Sequence, residues 1–179
     1  MATGSFADLN NFLSSNDYRY GADAIMSTFL GNHDIPRVIH AANGELGDYP
    51  CTQGSWLGIS WTPDFTQPPD EDPYRKLGLG FAVMLTNPGI PLIYYGDEIG
   101  LAGGGDPDNR RTMPWDDSEL NQYQIDLRSR VRAFANLRSE NKALTRGVRT
   151  TSSVNEAPGA YRMGGCGEDA PGGSVARNG

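Results

Sequence analysis

The chain has 179 residues, a formal net charge of −7, 37% apolar side chains, 23 glycines and 12 prolines. That acidic balance excludes non-specific binding to nucleic acid or to anionic lipid, both of which need Lys/Arg to meet phosphate. No apolar run reaches the ~18 residues of a membrane span, whereas the runs at 77–85 and 90–95 exclude a fully disordered chain.

Residues 5–15 predict a short helix, with Ser5 as N-cap, Asp8 three residues on, and Phe6, Leu9 and Leu13 at helical spacing. The apolar run 24–30 predicts a strand that ends abruptly in Asn32-His33-Asp34. Residues 41–72 form a long irregular stretch holding four prolines, Trp56, Trp61 and Phe65; so long a loop inside a domain is usually functional or disordered. Asp72-Pro73 predicts a helix start with proline at the first helical position. The helix continues through 77–86 as a nearly all-apolar segment, expected to be buried on most sides and stopped by Asn87-Pro88-Gly89. Residues 90–95 predict a buried parallel strand. Residues 119–140 predict a long helix with Tyr123, Leu127, Val131, Phe134 and Leu137 on one stripe. From Gly147 the chain becomes glycine-rich with weak alternation.

Helix, strand, loop, helix, strand, loop, helix is an α/β order and implies a parallel sheet with helices outside it. In such folds the chemistry sits at the carboxyl ends of the strands. Cys51 and Cys166 allow one disulfide or none and have no metal-ligand spacing. The first 30 residues have no secretory signal pattern, and localisation stays open.

Three motifs follow the strand ends. Phe29-Leu30-Gly31-Asn32-His33-Asp34, with Arg37 beyond it, delivers a carboxylate that can stabilise positive charge and an imidazole that can hydrogen-bond a hydroxyl. The simpler reading is a turn capped by aspartate. Tyr94-Tyr95-Gly96-Asp97-Glu98 offers paired carboxylates for acid/base work. Adjacent strand residues face opposite ways, so a carboxylate paired with an arginine such as Arg37 is the simpler reading. Gly103-Gly104-Gly105-Asp106-Pro107-Asp108-Asn109-Arg110 is no phosphate loop, because no Gly-Lys-Ser/Thr follows. Arg110 also occupies the fifth position of what would be a calcium loop. Asp106 and Arg110 suit forked hydrogen bonds to hydroxyl groups.

Taken together, in this order and spacing, the motifs resemble the C-terminal part of the alpha-amylase family, glycoside hydrolase family 13. Residues 29–34 resemble the end of its seventh barrel strand, and residues 89–100 its eighth. The Asp106-Pro107-x-Asn109-Arg110 run is similar to its sugar-holding loop. The resemblance covers about residues 5–145. It implies a partial (β/α)8 barrel over residues 1–146, about the last two βα units. Residues 147–179 would begin an all-β domain or form a disordered tail. It implies that Asp34 is the carboxylate that stabilises the transition state and that His33, Asp106 and Arg110 bind sugar. Asn32, Arg37 and Glu98 would support them. The partner implied is an α-linked glucan such as starch, a maltooligosaccharide or pullulan, with no nucleic acid and no membrane.

Retaining hydrolysis needs a nucleophile and an acid/base carboxylate about 5–5.5 Å apart. In this family both lie upstream of the Asn-His-Asp motif. No G-x-R-x-D nucleophile string occurs here, and a whole barrel needs about 250 residues. The expectation is therefore a fragment of a retaining hydrolase, inactive alone and prone to instability or self-association. Alternatives are a non-catalytic glucan-binding or structural relative, or a transglycosylase or oligosaccharide α-glucosidase parent. No metal or cofactor is expected in this chain; any calcium site, and a secreted or periplasmic location, would belong to a full-length parent.

Overall fold

The computed structural model describes residues 5–21, 24–46 and 65–153, together with the strand backbone at 160–164 and 173–174. Cys51, Trp56, Trp61 and Cys166, on which the sequence raised questions, lie outside the described residues.

Helix α1 (Phe6–Tyr20) opens on a capping box. Ser5 Oγ accepts the Asp8 amide at 3.1 Å, and Asp8 Oδ2 accepts the Ser5 amide at 2.8 Å. Both satisfy amide donors that the first turn would otherwise leave free. The helix outruns its predicted end and stops at Gly21, whose φ of +81° favours glycine. None of its residues is buried.

Strand β1 (Ser27–Thr28) and strand β2 (Ile90–Pro91) pair in parallel, Ser27 opposite Ile90 and Thr28 opposite Pro91. The Ile90 amide donates to Met26 O at 2.9 Å and the Leu92 amide to Thr28 O at 2.8 Å. Both strands are far shorter than the apolar runs that predicted them. Pro91 has no N–H to extend the ladder, and among the described residues this sheet has only two strands. Gly89 permits the close approach: a Cβ there would lie 2.5 Å from Met26 O.

Between the strands run α2 (Val38–Ala42) and the crossover helix α3 (Glu71–Thr86). Helix α3 begins at Glu71, with Asp70 in the extended N-cap conformation, so Pro73 is the third helical residue, not the first. A proline fits there because the first-turn amides have no intrahelical acceptor. Leu77, Phe81, Met84 and Leu85 are buried, but Leu79 is 66% exposed. The helix is therefore open on one face rather than covered on most sides.

Helix α4 (Gln122–Glu140) is capped by Asn121, whose side chain accepts the Gln124 amide at 2.9 Å. Glu119 belongs to the preceding 3₁₀ turn, Asp117–Glu119, which Asp116 caps. Leu127 and Val131 pack on Ile39, Tyr74, Leu77, Phe81, Met84 and Leu85 to form the core, each such side chain contributing ~1.5–3 kcal/mol. Leu137 ends the predicted stripe half-exposed. Arg138 locks the far end of this core. Its Nη1 donates to the carbonyls of Leu85, Asn87 and Leu144 at 2.8–2.9 Å, and its Nη2 to Gly89 O at 2.6 Å.

After the short α5 (Lys142–Arg146) the sheet type changes. Strands β3 (Val148–Ser153), β4 (Ala160–Gly164) and β5 (Gly173–Ser174) form an antiparallel sheet in that order. Arg149 on β3 reaches α1, with Nη2 2.9 Å from Asp17 Oδ2. Facing β1, α1 and α3 enclose an apolar groove of about 740 Å³ lined by Leu9, Phe12, Leu13, Leu79 and Val83. No helix among the described residues is long and apolar enough to cross a membrane.

Candidate functional site

The chain leaves β1 at Leu30 and turns at once. Gly31 leaves room there for Asp97, since a Cβ would lie 2.5 Å from its Oδ2. Asn32 Oδ1 accepts the Asp34 amide at 2.8 Å, an Asx turn that holds the tripeptide's backbone. This leaves His33 and Asp34 side by side in solvent, with Nε2 3.3 Å from Oδ1 and side chains 61% and 71% exposed.

Behind them Arg37 is buried at 1% exposure. Its Nε donates to Asn109 O at 2.7 Å and its Nη1 to Asp97 Oδ1 at 3.2 Å and to Tyr95 O. Its guanidinium carbon lies 4.2 Å from the Tyr94 ring centre and 4.6 Å from that of Tyr95, close enough for cation–π attraction. The carboxylate that meets Arg37 is Asp97, not Glu98. The reason is backbone geometry: residues 97 and 98 lie in a 3₁₀ turn, Asp97–Ile99, rather than in a strand. Asp97 is 2% exposed. Burial pushes its acid up to about 6 even though Arg37 pulls it down. Glu98 Oε2 is buried without a hydrogen-bond partner among the described residues.

The glycine-rich loop after β2 supplies the other predicted pair. Arg110 Nε and Asp106 Oδ1 are 3.0 Å apart, and both side chains are half-exposed. Asp108, between them in sequence, serves the loop itself. It accepts the Gly104 amide at 2.7 Å and a forked pair from Arg111 at 2.8 and 2.6 Å. Burial works to raise its acid, but Arg111 and the amide hold it below the usual carboxylate range.

Asn109 joins the two loops. Its side chain is fully buried, and Nδ2 donates to His33 O at 2.7 Å and to Ile35 O at 2.9 Å. Those two carbonyls flank Asp34. One amide group thus fastens the Asp106–Arg110 loop to the His33–Asp34 turn. Tyr95 ties the same loop further along, its hydroxyl donating to Arg111 O at 3.0 Å.

The structure therefore brings Asn32, His33, Asp34 and Arg37 to the end of β1, with Asp106 and Arg110 beside them. The expected carboxylate–Arg37 pair is present, with Asp97 as its acid; Asn109 and His40 were missed by reading the sequence. Asn109 had a signal, since it lies inside the quoted loop motif. His40 had none. The two loops that Asn109 joins carry four exposed polar side chains: two carboxylates, an imidazole and a guanidinium. Such a set can accept and donate hydrogen bonds to a polyhydroxylated ligand and can stabilise developing positive charge. Among the described residues no cluster of three or more His, Cys, Asp or Glu side chains is placed to hold a metal ion.

No model of a known protein family matches the chain. It is 29% identical over 154 residues to a cyclomaltodextrin glucanotransferase of Bacillus sp. (strain 1-1), covering 86% of this chain and 17% of that protein. It is 32% identical over 148 residues to a cyclomaltodextrinase of Geobacillus thermopakistaniensis (strain MAS1), covering 82% of this chain and 20% of the relative. The chain thus spans about a fifth of the length of these relatives. Among solved structures, the alpha-amylase of Geobacillus thermoleovorans in complex with acarbose aligns with a TM-score of 0.64 and 25% identity, over 89% of this chain and 31% of that one. The helices and parallel strands thus correspond to part of an alpha-amylase-family barrel that is open here.

Proposed function

The chain belongs to the alpha-amylase family, glycoside hydrolase family 13, and from that premise we propose that it supplies one wall of an α-glucan-binding active site. Asp34 steadies the oxocarbenium-like transition state, and His33 hydrogen-bonds the same sugar. Asp106 and Arg110 hold the next sugar toward the non-reducing end. Asn32, Arg37 and Glu98 are supporting residues; Arg37 acts through Asp97 and the Asn109 carbonyl, and Asn32 through the turn it closes. The nucleophile and the acid/base carboxylate come from outside these 179 residues, since the sequence holds no G-x-R-x-D string. Residues 147–179 begin a separate β-domain, a reading that the change to antiparallel pairing after α5 supports.

The observation that carries the proposal is the Asn109 clamp, which joins the two exposed pairs into one surface. The substrate class draws further support from the likeness to a cyclomaltodextrin glucanotransferase and a cyclomaltodextrinase and from a structural neighbour in complex with acarbose.

The test is titration of the labelled chain with maltoheptaose, read by amide chemical shifts. Shifts confined to residues 32–34 and 105–111 are expected. Asp34→Asn and Arg110→Ala should each weaken binding by about tenfold, the worth of one charge-assisted hydrogen bond. Turnover of soluble starch should not exceed that of Asp34→Asn. Shifts in neither loop, or turnover clearly above that variant, refute the reading.

A further inference from the structure

His40 lies outside every motif, yet it too is a fully buried polar side chain beneath the site. It sits in α2 at 0% exposure, and its Nε2 accepts the Gly103 amide at 3.0 Å. A nitrogen that accepts bears no proton, so the proton is on Nδ1, which faces Glu45 Oε2 and donates to it. Glu45 is itself held: Asn43 Nδ2 donates to its other oxygen at 2.7 Å, and its amide returns to His40 O at 3.0 Å. The carboxylate thereby fixes both the tautomer and the ring plane.

At the other end, Gly103 is gripped twice. Its N–H goes to His40, and its carbonyl accepts the Arg37 amide at 2.9 Å. A Cβ on Gly103 would lie 2.7 Å from Asp108 O and 3.0 Å from Asn109 Cα, so glycine lets the two limbs of the loop close on each other. The Phe65 ring closes the remaining side, its centre 4.6 Å from that of His40.

We propose that His40, oriented by Glu45, is a positioning residue that latches the glycine-rich loop to α2 and so sets Asp106 and Arg110 in register with His33 and Asp34, and that the latch opens when the imidazole is protonated. The proposal rests on the reading that these four residues bind one glucan. Protonation puts the ring's second N–H hydrogen on Nε2, pointing at the Gly103 N–H. The two donors then oppose each other, and a buried amide loses its acceptor. The charged groups around the ring are Glu45 after α2 and Asp108 and Arg111 from the loop; Phe65 on the fourth side is neutral. Burial lowers the affinity of His40 for a proton, against the pull of Glu45. The latch is therefore complete above the ordinary histidine value of ~6.5 and is lost as pH falls through the lower folded-state value.

The experiment uses the 179-residue chain. Long-range proton–nitrogen correlations read the tautomer, and a His33→Asn sample assigns the ring, because the chain has 2 histidines. The Nδ1–H tautomer is expected, with the Gly103 amide slow to exchange until both signals are lost together in acid. Maltoheptaose affinity is then measured from pH 7.5 to 5. His40→Leu should bind about tenfold more weakly at pH 7.5, matching one unpaired buried donor. His40→Gln offers an acceptor that does not titrate; it should retain affinity and lose one acid limb of the profile. An Nε2–H tautomer, a rapidly exchanging Gly103 amide, wild-type affinity in His40→Leu, or an unchanged profile in His40→Gln each overturns the latch. If the wild type binds no maltoheptaose, the glucan reading fails while the tautomer and exchange data still decide the latch. If His40→Leu does not fold, the wild type and His40→Gln decide it.

Discussion

Arg37→Met keeps most of the side-chain length and removes its charge and its donors. The carbonyls of Asn109 and Tyr95 then lose a hydrogen bond, and the carboxylate of Asp97 loses its cation. Because Asp97 is 2% exposed, solvent cannot replace that partner. Removing one member of a buried pair costs ~3–5 kcal/mol, a large share of the ~5–15 kcal/mol that holds a domain together. With a slope of ~2 kcal/mol per molar urea, the midpoint should fall by ~2 M. The pH dependence identifies the cause. The acid of Asp97 is raised from 3.8 to about 6 in the folded state. It therefore binds its proton more tightly folded than unfolded, and stability declines as pH rises through that window. Without Arg37 the acid rises further, so the variant should recover part of its deficit between pH 7.5 and 5. Arg37→Met/Asp97→Leu removes the orphaned charge and should regain at least ~2 kcal/mol over the single variant. The assay is urea unfolding followed by far-ultraviolet circular dichroism at several pH values. A loss below ~1 kcal/mol at pH 7.5, or a double variant no better than the single, refutes the reasoning.

Gly31→Ala places a methyl 2.5 Å from Asp97 Oδ2 and should cost ~1–3 kcal/mol in the same assay; an unchanged midpoint would show that the turn yields freely. Arg138→Met removes the hydrogen bonds donated to the carbonyls of Leu85, Asn87, Gly89 and Leu144. It should destabilise by ~3 kcal/mol or more, with amide exchange accelerating first at the end of α3, and uniform protection would contradict that. Ile25 and Ile90 are 74% and 59% exposed beside a sheet that, among the described residues, has two strands and hence two open edges. The chain should therefore self-associate at roughly micromolar concentration in sedimentation velocity. A strictly monomeric sample with a sharp cooperative melt would argue otherwise.

Local chemistry was legible where partners are close in sequence. The Ser5–Asp8 box could be read because its two hydrogen bonds span three residues. The alternation of helix and strand followed from apolar spacing, but strand length did not, since a ladder ends where its neighbour ends. Pro73 misplaced the start of α3 because a proline is tolerated anywhere in a first turn. The choice between Asp97 and Glu98 was invisible: the deciding contact to Arg37 spans 60 residues and depends on a 3₁₀ turn. His40 was hidden for the same reason, with Gly103 lying 63 residues away. Long-range burial, not residue type, selects these groups.

Asn109 and its neighbours divide two kinds of labour within a single turn of chain. Its side chain faces inward and holds the scaffold, while Asp106 and Arg110 on either side face out. Substitution at the exposed positions therefore leaves the buried hydrogen bonds of the scaffold in place, whereas substitution at the inward one breaks them. A loop partitioned this way lets selectivity change at nearly constant foldability, which makes residues 106 and 110, rather than the anchoring asparagine, the targets for altering the selectivity of the proposed glucan surface.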